Sequence, residues 1–300
     1  MVDSRVRAAE GSHPEAAAAR SRSQTGDCSA ETPPRLRDYA VLAVVPAVWG
    51  TYAPLVRLVF GGAVAPPPLL FNAASFAVSL SALAIARTLR DERGGAESGR
   101  GPVLRAGAEL GLWLFLGSSL QLLGLQSTSA VRAAVLVQTT TVLVPLLESA
   151  AQSRPLPLPV YLSCAAAACG VLLLSAQPSL ESFESLAAGD LLVLSAALCY
   201  SMHVLRLGAL AAACDPLDLS LAKSLFELLF CLLAIALTAA LGGGQQFSDF
   251  FAAAGAGSWA EVGPLLAALL WNGAAATALT NWAQSAGQVA PHHLMMVPAL

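Results

Sequence analysis

The chain has very little charge. Asp, Glu, Lys and Arg make up 12% of its 300 residues, about half the share in an ordinary globular protein, roughly 25%. It has one lysine, Lys223, among 16 basic residues. With 56% apolar residues and a mean hydropathy of +0.65, a water-soluble protein of this size is excluded, because most of its exterior would have to be solvated. The net charge of −3 gives no basic face for nucleic acid. The six cysteines form no CxxC and no Cys/His group with zinc spacing, so they read as small packing residues and no metal is expected. Phosphate loop, HExxH, GxSxG and dinucleotide fingerprints are all missing, and with them the expectation of an enzyme or of a bound cofactor. Without an ATP site, any pumping must draw on a gradient or on solute exchange.

Long apolar runs are what the sequence has in abundance. Residues 1–38 are polar and rich in Ala, Ser and Arg, with no apolar signal core. Their acids Asp3, Glu10, Glu15, Asp27 and Glu31 favour a disordered cytoplasmic tail over an organelle-targeting peptide. From Tyr39 the pattern predicts spans at 39–60, 68–87, 106–125, 131–150, 157–176, 188–207, 217–241 and 262–284, most of them near the ~20 residues that cross a bilayer as a helix. A ninth run opens at Val289 and stops at Leu300, which reads as a truncated helix. The expected fold is therefore an all-α, multi-pass integral membrane protein with eight full helices and part of a ninth, whose first partner is the lipid bilayer.

Basic residues gather in cytoplasmic loops. With the N-terminus inside, the inner side receives six tail arginines, Arg87, Arg90, Arg93, Arg100, Arg105, Arg154 and Arg206, thirteen in all, and the outer side only Arg57 and Arg132. That asymmetry predicts a cytoplasmic N-terminus, without naming the membrane.

The third and eighth spans end alike, in Leu125-Gln126-Ser127-Thr128-Ser129-Ala130 and Ala283-Gln284-Ser285-Ala286-Gly287-Gln288, and the first and sixth both end in an Arg, at Val56-Arg57 and Leu205-Arg206. Helices 1–4 are echoed by helices 6–9, with helix 5 closing the first unit (39–176) and the second unit occupying 188–300. Five helices per unit is an odd number, so the second lies inverted, as in secondary transporters whose site is between the repeats. Trp49-Gly50-Thr51-Tyr52-Ala53-Pro54 resembles the opening motif of EamA-type drug/metabolite transporters. Glu109 to Gly117 with Gln121 and Leu125 to Ala130 is similar to that family's third helix, and Arg132 to Pro145 to its fourth. The resemblance implies two inverted five-helix units and transport of a small organic solute, and against it the last helix is lacking here.

Charge inside a span is costly and needs a reason. Lys223 lies early in helix 7 with Glu227 four positions on, on the same face. The lysine reads either as the counter-charge for an anionic solute, held in place by Glu227, or as half of a self-neutralised pair with Glu227 or a chain reaching the nearby interface. Glu148 and Glu109 border the cytoplasmic rim near Arg154 and Arg105, as interfacial pairs or as coupling carboxylates, and His203 in helix 6 is a packed imidazole or a proton relay. Gln121, Gln138, Trp271, Asn272 and Asn281 are the uncharged cavity candidates, against the alternative of helix–helix glue. Pro145 is expected to kink helix 4. The leading expectation is a secondary carrier of a small organic metabolite working by alternating access. The rival is a truncated, non-transporting membrane protein bound to a full-length relative, and homo- or hetero-oligomerisation stays open.

Overall fold

Twenty-residue apolar runs with no partner for their peptide groups in lipid must satisfy them internally, and the chain does so as helix. The computed structural model describes residues 36–62, 64–91, 100–153, 155–175, 188–211 and 214–289. Most of the polar tail, Arg93, Arg154, the 177–187 loop, His292-His293 and the run from 290 to Leu300 lie outside the described residues. Every element among the described residues is helical. In order they are α1 (Leu36–Trp49), α2 (Tyr52–Phe60), α3 (Pro68–Asp91), α4 (Arg100–Ser127), α5 (Ala130–Val137), α6 (Thr140–Gln152), α7 (Leu158–Ser175), α8 (Ala188–Leu210) and α9 (Pro216–Thr238). Then come α10 (Gln245–Ala256), α11 (Trp259–Leu270) and α12 (Thr280–Val289), with π-helical segments at Ala239–Gly243 and Trp271–Leu279.

Seven stretches of these residues are long and apolar enough to cross a membrane, and the apolar Leu158–Gly170 part of α7 is shorter. The protein is thus a multi-pass membrane protein by length and composition. Each of the eight expected spans has a helix at its place, but four of them are not the unbroken helices the sequence suggested. The first is divided at Gly50-Thr51, where the backbone tightens (Thr51 N–H to the Val48 carbonyl, 3.1 Å) and the Thr51 hydroxyl donates to that same carbonyl at 2.7 Å. The fourth breaks at Gln138-Thr139, where the hydroxyls of Thr139 and Thr141 bond back to the Leu136 and Gln138 carbonyls, and α6 runs on through Pro145. The seventh ends in a π turn closed by Gly242 at φ 92°, a conformation open to glycine at no steric cost. The eighth passes through the nine-residue π segment between α11 and α12. The 242–261 loop, which has no Lys or Arg, carries an unforeseen helix, α10.

Helices meet where side chains are small, since in lipid close backbone approach replaces the hydrophobic drive. On α4, a Cβ at Gly107 would stand 2.5 Å from the Ala222 Cβ, and one at Gly111 would stand 2.9 Å from the Lys223 carbonyl and the Phe226 Cβ. Gly124 faces Gly189 of α8 in the same way, 2.7 Å from its carbonyl. Thus α4 sits between α8 and α9, α3 packs on α9 and on the 271–279 segment, and α12 packs on α1 and α9.

Candidate functional site

The middle of this bundle is polar. Lys223, 0% exposed, sits two turns into α9, about 10 Å along its axis. Its Nζ donates to Ser285 Oγ (3.0 Å) and to the Asn281 carbonyl (3.4 Å) on α12. This corrects the interface-reaching alternative: the ammonium points into the bundle, because α12 offers oxygens there. Ser220, one turn back, binds the same carbonyl and the same hydroxyl at 3.1 and 3.3 Å. The neighbouring Ser224 meets Ser79 of α3 at 2.9 Å.

Glu227 is equally enclosed, at 2% exposure. It lies beside Ser224 and Asn281, yet its Oε2 and the Asn281 Nδ2 have no partner at hydrogen-bonding geometry. His203 of α8 is buried beside the Leu110 backbone and within electrostatic reach of Lys223, and neither ring nitrogen has a partner. Tyr200, one turn earlier, donates to Gln121 Oε1 of α4 at 2.8 Å and lies within reach of Tyr52 and Glu227. Five of the nine sequence candidates therefore converge: Gln121, His203, Lys223, Glu227 and Asn281.

The other four lie elsewhere. Asn272 is buried in a separate contact, its Nδ2 donating to Ser75 Oγ at 3.0 Å. Trp271 is 45% exposed and borders a shallow apolar groove with Leu270, Ala274 and Leu279. Gln138 is half-buried at the α5–α6 turn, and Glu148 is exposed near the end of α6. Glu109 is hydrogen-bonded by Arg206 of α8, at 3.0 Å for the second of two bonds, with the expected Arg105 also within electrostatic reach.

Charged groups close the bundle at both ends. At one, Arg87 and Arg90 of α3 reach Asp218 at 3.1 and 3.3 Å, and Arg90 also binds Asp215. Burial pushes the Asp215 carboxyl up, but the hydrogen bond from Arg90 and those from the Asp218 and Leu217 amides outweigh it, leaving this group below its ordinary value. At the other end, Arg132 holds Asp190 at 2.6 Å, Thr128 donates to Asp190 at 2.7 Å, and Arg57 donates to the Thr128 carbonyl. Beside that second end lies a cavity of about 750 Å³ lined by Arg57, Phe60, Gln126, Asp249 and Phe250, with Val56, Leu122 and Leu125 among its apolar residues.

The sequence reading missed Asp190, although an acid inside an apolar span is itself a signal. It also missed Tyr52, Tyr200 and the serines of α9, whose hydroxyls look ordinary until neighbours are known. Among the described residues no group of three His, Cys, Asp or Glu could hold a metal. Comparison with known proteins returned no matching family model and no matching curated protein.

Proposed function

We propose that the chain is a secondary, EamA-type transporter of a small organic metabolite, working by alternating access, with Lys223 as the counter-charge for an anionic group and with no enzymatic step. One observation carries this reading: a buried polar cluster, walled by helices from both halves of the chain, with hydrogen-bonding capacity unused at Glu227, Asn281, His203 and Tyr52. Structural glue would leave little unused, because an unpartnered buried polar group costs about 1–3 kcal/mol.

The helix neighbours support an inverted repeat. Consider a two-fold that exchanges the α1–α2 span with α8, α3 with α9, and α4 with the α11–α12 span. It carries the pair α4–α8 onto the pair of α12 with α1, carries α4–α9 onto the pair of the 271–279 segment with α3, and maps α3–α9 onto itself. All of these pairs are in contact. Such repeats place their site near mid-membrane.

The test is flux into proteoliposomes of a radiolabelled panel of carboxylates, phosphate esters, amino acids and nucleosides. Solute-specific uptake that exceeds empty liposomes and falls by tenfold or more in Lys223→Met is expected. Uptake of none of them sinks the carrier. Orientation is tested separately, with the N-terminus proposed on the cytoplasmic side. Ser248→Cys should then react with an impermeant maleimide from outside the cell and Asp91→Cys only after permeabilisation.

A further inference from the structure

Four residues apart on α9, Lys223 and Glu227 share a helix face, yet the lysine directs its hydrogen bonds to uncharged oxygens and Glu227 Oε2 has no partner. A carboxylate with a bare oxygen this deep is expensive. A proton on that oxygen removes the cost and needs no cavity to arrive.

Tyr200 joins Gln121 by a hydrogen bond and lies within reach of both Tyr52 and Glu227. Tyr52 is one helical turn before Val56, and Gln121 directly precedes Leu122, two of the residues lining the 750 Å³ cavity. Tyr200 and Gln121 are thus hydrogen-bonded neighbours on the cavity side of the cluster, with Gln121 one residue in sequence from a cavity-lining position.

The groups within electrostatic or hydrogen-bonding reach of Glu227 are Lys223, Ser224 and Cys231 from α9, Tyr200 from α8 and Asn281 from α12. His203 of α8 stands in that relation to Lys223, Tyr52 of α2 to Tyr200, and Ser79 of α3 bonds Ser224. α4 approaches the Glu227 backbone at Gly111 and carries Gln121, which bonds Tyr200. The remaining charges of these elements lie toward helix ends: Glu109 with Arg206, Arg105, Arg57, Asp190 with Arg132, and Arg87 and Arg90 with Asp215 and Asp218.

We propose that Glu227 is a proton-exchange site, with Lys223 as its facing charge. In the step, an O–H bond forms at Oε2 as one breaks on hydronium, and the pair passes from no net charge to one positive charge. The site depends on the carrier reading only for its use, as the coupling proton.

The experiment is infrared difference spectroscopy of the full-length protein in lipid nanodiscs, with no solute, as pH is scanned from about 5 to about 9. A protonated-carboxyl C=O band is expected to grow on acidification, to vanish in Glu227→Gln, and to shift its midpoint by about one unit or more in Lys223→Met. Glu227→Asp must keep a displaced band, which preserves the test if the Gln variant fails to fold. Identical titrations in wild type and Glu227→Gln, or an unmoved band in Glu227→Asp, overturn the proposal. The two readings also fail separately. Flux without a Glu227 band leaves the carrier and removes the proton site, and a band without flux of any solute does the reverse.

Discussion

The Trp271 indole N–H donates to Thr51 Oγ1 at 2.8 Å, and the Trp49 indole N–H is returned to the Ala276 carbonyl at 3.3 Å. Each tryptophan thus ties its own helix to a stretch where the other helix departs from regular α geometry. The Thr51 hydroxyl serves twice, accepting from Trp271 and donating to Val48. The two irregular stretches are thus tied to one another by side-chain hydrogen bonds, while Trp49, Thr51 and Trp271 stay exposed on the surface of the bundle.

The coupling between Trp271 and Thr51 should be measurable. Trp271→Phe and Thr51→Val should each lower thermal stability in detergent, and together should cost less than their sum. A coupling of about 0.6 kcal/mol, and at most about 1.7, is expected for one interhelical hydrogen bond in a membrane protein. Strict additivity in the double-mutant cycle would deny the bond.

Arg132 and Asp190 form the most enclosed ion pair among the described residues, with side chains 8% and 0% exposed. Replacing Arg132 by Met leaves Asp190 buried and costs about 3–5 kcal/mol. Adding Asp190→Leu should recover much of that loss, since two apolar chains leave no orphaned charge. Loss of monodisperse protein in the single variants and its partial return in the double one, read by size-exclusion chromatography, is the check.

Gly111 permits α4 to lie on α9. With a Cβ 2.9 Å from the Lys223 carbonyl, Gly111→Val must push the helices apart, at about 1–3 kcal/mol. A Cβ at Gly101 meets nothing within 4 Å, so Gly101→Ala should be neutral or slightly stabilising. Melting temperatures of the two variants separate these outcomes.

Asp215 makes the start of α9 sensitive to acid. Its carboxyl is held below the ordinary value of 3.8 by Arg90 and by the amides of Asp218 and Leu217, against the upward push of burial. A depressed carboxyl contributes stability that is present above its unfolded value and lost as pH falls through the folded one. Melting temperature should therefore drop as pH is taken below about 4, and Asp215→Asn should begin lower and show a shallower drop. An unchanged slope would assign the acid loss to other groups.

The positions of the spans were legible because a 20-residue apolar run has few other uses. The breaks were not, since Trp49-Gly50-Thr51 and Trp271 to Leu279 are as apolar as the helices around them. What marks them in the fold is a hydrogen-bond partner more than two hundred residues away. The Lys223–Glu227 spacing was legible in the same local way, whereas the oxygens that take the ammonium, on Ser285 and Asn281, are 62 and 58 residues off. Glu109 shows the same limit: Arg105, its neighbour in sequence, does act on it, but the hydrogen-bonded partner Arg206 comes from α8, packed against α4.

The Trp271–Thr51 contact also sets a clock. Its partners are 220 residues apart, and at a synthesis rate of about 5–20 residues per second Thr51 is made about 10 to 40 seconds before Trp271 exists. Through that interval Thr51 keeps its bonds to Val48 but lacks the indole that binds it in the finished fold. The span that ends at Phe60 therefore acquires its last interhelical bond late, and any slowing of translation between residues 51 and 271 lengthens the wait for it.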